Sequence, residues 1–132
     1  MKDINENIVA MKSMSFAVRC VNLARYLREK NHEYDLASQI LKSGTSIGAN
    51  VREALRGQSR ADFRAKMSIS LREANETQYW LELLMNVDYL SLKEYESMQY
   101  DCIELCKLLM SIVKSTSKEN NIKPHSIPTE SL

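Results

Sequence analysis

Five arginines between residues 52 and 72 hold the spacing in this chain best suited to binding chemistry. Arg52 and Arg56 lie four apart, Arg60 and Arg64 repeat the interval, and Arg72 falls two turns further along. On a helix, like charges at i and i+4 are neighbours and repel by roughly 0.2–0.5 kcal/mol per pair. Asp62 with Lys66 and Arg72 with Glu76 stand at spacings that offset part of this. An external anion offsets more, and phosphate matches the guanidinium fork. Aromatic residues are not interleaved with the arginines in the manner of a single-strand binder. Contacts should therefore go to the phosphate backbone and carry no base information. The competing destination for these charges is solvent or the acidic half of a neighbouring subunit.

Other reactive residue types argue against catalysis. The only histidines, His32 and His125, fall in a loop and in a polar C-terminal stretch. A di-iron bundle site needs inward-facing Glu-x-x-His pairs, and a serine or cysteine nucleophile needs a base. Neither requirement is met. "SGTSIG" lacks the Gly-Lys-Ser/Thr ending of a phosphate loop and lies within a helical pattern. Cys102 and Cys106 are four apart, but no further ligand completes a tetrahedral metal site, so they read as small core residues. No catalytic residue, metal or cofactor is expected, and the chain reads as a non-enzyme.

The charges are unevenly placed. The 132 residues carry a formal net charge of +1. Yet Lys42 to Arg72 holds seven basic residues against two acids, for +5, and Glu73 to Cys106 holds eight acids against one lysine, for −7. Such polarity suits head-to-tail self-association or a one-sided polyanion site. The three cysteines form no disulfide framework, no leader pattern is visible, and no apolar run is long enough to span a bilayer. A cytoplasmic protein with reduced thiols and no membrane contact is expected.

Four helical patterns must position these residues. The first is expected from Ser13, read as its N-cap, to Lys30, and the second from Tyr34 or Asp35 to Gly57, read as its stop. "SRAD" at Ser59–Asp62 resembles a capping box opening the third, which runs to about Asp88. The fourth begins after Ser91 and carries Tyr95, Met98, Cys102, Leu105, Leu109 and Ile112 at helical spacing. Residues 1–117 thus read as one all-α, up-down-up-down four-helix bundle, and 118–132 as a disordered tail.

Two helices are organised on more than one face. On the third, Phe63, Met67, Ser70, Ala74, Thr77, Leu81 and Leu84 form a core seam. Ile69, Glu73, Glu76, Trp80, Leu83 and Val87 form a second seam, which calls for a partner, another copy being the simplest. The second helix pairs its core stripe with a polar one: Ser43, Ser46, Asn50, Glu53 and Gly57. Gly44 and Gly48 each cost about 1 kcal/mol of helix propensity relative to Ala, so they are expected to mark a strip where another helix approaches closely. Glu73 and Glu76, set among apolar residues, are expected to find donors on Ser46, Asn50 and Arg52, within or between subunits.

"KSGTSIGANVREA" followed by "SRADFRAKMSISLREANETQYWLELL" resembles the bacterial four-helix-bundle family first noticed as reading frames inside intervening sequences of 23S ribosomal RNA genes. "NIVAMKSMSFAVR" and "LASQILKSGTSIGAN" extend the resemblance over roughly Asn7 to Ser115. The resemblance implies a homopentameric barrel of four-helix protomers. A related group, the accessory proteins of diversity-generating retroelements, binds nucleic acid and a reverse transcriptase through such a barrel. Where the family more often reads Asn-Ile-Ala-Glu-Gly, this chain reads Asn-Val-Arg-Glu-Ala (Asn50 to Ala54), placing Arg52 where a small residue is usual. Two functions follow: a pentameric accessory factor whose arginines track RNA or DNA phosphates, or a homo-oligomeric scaffold for a protein partner with its arginines spent on subunit contacts.

Overall fold

The computed structural model describes residues 4–122, with side chains described through residue 117. Four helices, α1 (Ile4–Lys30), α2 (Asp35–Leu55), α3 (Arg60–Asn86) and α4 (Leu92–Ile122), make up the described chain, which contains no strand. Connections of four or five residues force successive helices antiparallel. Each helix packs against its sequence neighbours, α4 closes the ring by a sparser approach to α1, and the diagonal backbones stay apart. This is the expected up-down-up-down bundle.

The helix boundaries follow local chemistry. Ser59 is extended, and its hydroxyl accepts the Asp62 N–H at 3.0 Å, which caps α3. Ser91 and Glu94 form a reciprocal box at the start of α4, with the Ser91 N–H donating to Glu94 Oε1 (2.8 Å) and the Glu94 N–H to Ser91 Oγ (3.1 Å). Glu33 Oε2 accepts the Leu36 N–H at 3.0 Å, standing in for the cap that Tyr34 does not provide.

Three expectations need correction. α1 starts at Ile4 rather than Ser13, which is buried mid-helix with its hydroxyl donating to the Ala10 carbonyl at 3.2 Å. A serine bonded to its own helix needs no capping position. α4 continues to Ile122, past the boundary placed at 117, while the rest of the expected tail lies outside the described residues. Gly57 follows a helix that ends at Leu55, and its φ is not positive. A side chain there would stand 2.7 Å from Asp62 Oδ2 and 3.0 Å from the Ala54 carbonyl, so glycine serves the tight α2–α3 corner by its lack of bulk.

The core seam on α3 is the one the spacing marks, with all seven residues from Phe63 to Leu84 buried. Phe16, Leu27, Ile40, Ile47, Leu105 and Leu109 fill the space opposite. Gly44 is enclosed against α1, where an added Cβ would overlap Cys20 Sγ and lie 2.8 Å from its Cβ. Gly48 differs: an added Cβ would meet Ser13 only at 3.4 Å, an ordinary contact.

Candidate nucleic-acid interface

The α2–α3 corner gathers Arg52, Arg56, Arg60 and Arg64 at one end of the bundle, with Arg72 near the middle of α3. Arg52 lies in the last turn of α2, Arg56 caps that helix, Arg60 opens α3, and Arg64 and Arg72 follow along it. All are exposed except Arg64, which is half-buried with its Nε enclosed and lacking a hydrogen-bond partner. Among the described residues, Arg52, Arg56, Arg64 and Arg72 form no ion pair. The expected local pairs are not made: Lys66 does not bridge Asp62, and Glu76 accepts a hydrogen bond from Trp80 Nε1 at 3.0 Å instead of meeting Arg72.

Helix dipoles treat the two sides of the corner differently. Arg52 and Arg56 complement the partial negative charge at the C-terminus of α2. Arg60 and Arg64 sit in the first turns of α3, where the dipole is positive and only Asp62 offsets it. The start of α3 is therefore the part of the corner where positive potential is of the kind that anions relieve. One aromatic does stand among these arginines, contrary to expectation. The Arg60 guanidinium carbon lies 4.7 Å from the Phe63 ring centroid, but that ring is buried and presents no stacking platform.

The expected carboxylate network between α2 and α3 is absent within one chain. Ser46 Oγ donates to the Lys42 carbonyl (2.7 Å) and Asn50 Nδ2 to the Ser46 carbonyl (2.8 Å), so both serve their own helix. Glu73 is half-buried, Glu53 and Glu76 are exposed, and the Glu73 carboxylate has no partner among the described residues. Hydroxyls make the cross-helix bonds instead. Ser70 Oγ donates to the Ile47 carbonyl at 2.8 Å, and Thr77 and Ser43 share a hydroxyl–hydroxyl bond of 2.9 Å. The spacing placed Ser70 and Thr77 on the core seam but did not name their partners. A buried hydroxyl in a seam is itself the sign that an acceptor lies opposite.

The cysteines are core residues, and no group of three metal-capable side chains occurs among the described residues. Burial pushes the Cys20 thiol up to about 12. A hydrogen bond with the Cys106 thiol, followed by burial, raises Cys102. That bond lowers Cys106 to about 7 against the opposing effect of its burial, with help from Gln78 Nε2 at 2.8 Å. No described helix is long and apolar enough to cross a membrane.

The 23S rRNA-intervening sequence protein family matches residues 5–111, and the chain belongs to that family. It is also similar to a crystal structure, at 1.70 Å, of a protein of unknown function from the S23 ribosomal protein family of Bacteroides thetaiotaomicron. The two share 54% identity and a TM-score of 0.82 over 83% of this chain and 98% of that one. No curated protein matches the chain.

Proposed function

We propose that this member of the 23S rRNA-intervening sequence protein family is a non-enzymatic, homopentameric accessory protein that binds RNA or DNA through its arginine corner in the cytoplasm. The observation that supports this reading is that Arg52, Arg56, Arg64 and Arg72 have no carboxylate partner among the described residues, in a chain that has almost as many acids as bases. The guanidinium groups of Arg52, Arg56, Arg64 and Arg72, with no ion pair among the described residues, offer phosphate contacts that read charge and not sequence. A second reading, a homo-oligomeric scaffold without nucleic-acid binding, draws support from the opposed charges of the two halves of the chain.

A titration of mixed-sequence RNA at two salt concentrations tests the first reading. Affinity should fall as salt rises, with a log–log slope of about 0.7 to 0.9 per phosphate contact. Changing Arg60, Arg64 and Arg72 together to Gln should flatten that slope and weaken unrelated sequences equally. No binding by the wild-type protein at low salt would leave the scaffold reading.

A further inference from the structure

Two surfaces of the bundle are shaped for contact yet covered by nothing among the described residues. The first is an open groove of about 640 Å³ between α1 and α2, with Ala10, Ala17, Thr45, Gly48 and Ala49 along its floor and Met14 on its wall. Packing of α1 does not require it, because a side chain at Gly48 would make only ordinary contact with Ser13. One end of the groove is lined by Arg52, Glu53 and Arg56, a net positive charge, and neither arginine is ion-paired among the described residues. The second surface is the outer seam of α3. Trp80 and Leu83 are half-buried there, Val87 is 45% exposed, and Glu73 and Glu76 lie towards the N-terminal end of the same helix.

The registers of these surfaces match. From Thr45 to Arg52, and from Ala49 to Arg56, is seven residues, or about 10.5 Å at 1.5 Å per residue. From Leu83 back to Glu76, and from Trp80 back to Glu73, is the same interval. Bulky apolar side chains thus face a floor of small ones while two carboxylates reach two arginines. Glu73 has no other partner for its carboxylate among the described residues, and Glu76 gives one lone pair to Trp80.

We propose that the α1–α2 groove receives the outer α3 seam of a second copy of this chain. This rests on the self-assembly part of the proposed function and assigns its faces. The sequence direction fixes the arrangement. Along α2 the order is apolar then basic from N to C, whereas along α3 it is apolar then acidic from C to N. The incoming α3 therefore runs antiparallel to α2, as the chain's own α3 does. The second copy points the same way as the first and is related to it by rotation about an axis along the bundle. A two-fold axis perpendicular to the helices would place the incoming α3 parallel to α2 and set the glutamates at the wrong end. The contact is heterologous, each copy offers both faces, and repetition closes a ring. Arg52 and Arg56 serve this contact, which leaves Arg64 and Arg72 for phosphate.

Light scattering on folded variants, checked by circular dichroism, tests the assignment. Ala49 is exposed, so Ala49→Trp fills the groove without entering the core, and the variant should be monomeric at concentrations where wild type is assembled. Arg52→Glu with Arg56→Glu should dissociate the assembly, as should Glu73→Arg with Glu76→Arg. All four changes in one chain should restore it. Mixing Ala49→Trp with the Glu73→Arg, Glu76→Arg variant should yield a 1:1 dimer, because one intact groove then faces one intact seam. Assembly of Ala49→Trp at wild-type mass, or no rescue by the fourfold reversal, would overturn the faces while self-assembly stands. A monomeric wild type at about 50 µM would remove self-assembly itself.

Discussion

Where α2 meets α3, the polar groups are hydroxyls, fully buried and bonded across the seam, Thr77 to Ser43 and Ser70 to the Ile47 carbonyl. Where α1 meets α4, they are charges. Lys12 Nζ lies 3.2 Å from Glu104 Oε1 and Arg19 Nη1 lies 2.7 Å from Asp101 Oδ2, all with side chains about two-fifths exposed. The first seam is close-packed, while the second leaves a cleft of about 460 Å³ beside Leu23, Tyr26, Leu90 and Met98. The difference shows how one bundle closes in two ways. Buried hydroxyls fix relative position, since displacing either helix would leave the Ser43 and Ser70 hydroxyls without their cross-helix partners. Exposed ion pairs add little to stability and tolerate sliding, because water can replace each partner.

The largest test of this contrast lies where small size is a strict requirement. Gly44→Val would drive a side chain into Cys20, and the cost should reach about 3 kcal/mol, the upper end for overpacking. Gly48→Ala, one turn away, should stabilise the fold by up to about 1 kcal/mol, since the ordinary contact with Ser13 offsets little of the gain in helix propensity. Urea midpoints for the two variants measure this directly. Equal losses would mean that the α1–α2 approach is uniformly tight and that the groove is not open.

Much of this was readable from residue spacing, and the misses share one cause. The period of the α3 seam identified all seven of its buried residues because apolar and small hydroxyl side chains recur there without interruption. The glycines at 44 and 48 were legible as a pair but not as different, because only the position of Cys20 on α1 distinguishes them. Ser13 suggested a helix start because serine favours caps, yet here its hydroxyl is satisfied one turn back. Ser91-x-x-Glu94 carried a capping signature that the apolar rhythm of α4 overshadowed. The carboxylate network failed for a similar reason. Spacing shows which donors share a face, but Ser46 and Asn50 can satisfy themselves on their own helix, and spacing alone does not weigh that option.

A smaller effect is expected at the hydroxyl pair itself. Thr77→Val keeps the volume but leaves the buried Ser43 hydroxyl without its cross-helix partner, which should cost about 1–2 kcal/mol. Adding Ser43→Ala should then cost less than it does in the wild-type chain, because the orphaned group is gone. Additive losses in a double-mutant cycle would show that the two hydroxyls do not depend on each other.

The smallest effect should come from the α1–α4 ion pairs, and it separates charge from contact. Arg19 holds Asp101, but its guanidinium also donates to the Ser97 carbonyl at 3.2 Å and to Ser97 Oγ at 2.9 Å. Replacing Arg19 by Ala therefore removes more than an ion pair, and its single-mutant cost overstates the charge. A cycle through Asp101→Asn isolates the pair, and its coupling should be about 0.2–1 kcal/mol for groups this exposed. Raising ionic strength from 0.1 to 1 M shortens the screening length from about 10 to about 3 Å, so that coupling should shrink further. The hydroxyl coupling between Thr77 and Ser43 should not respond, since neither group is charged and both are buried. An Arg19–Asp101 coupling above about 2 kcal/mol that persists in high salt would reverse the comparison: α1 and α4 would then be locked by charge, and the cleft between them could not slide.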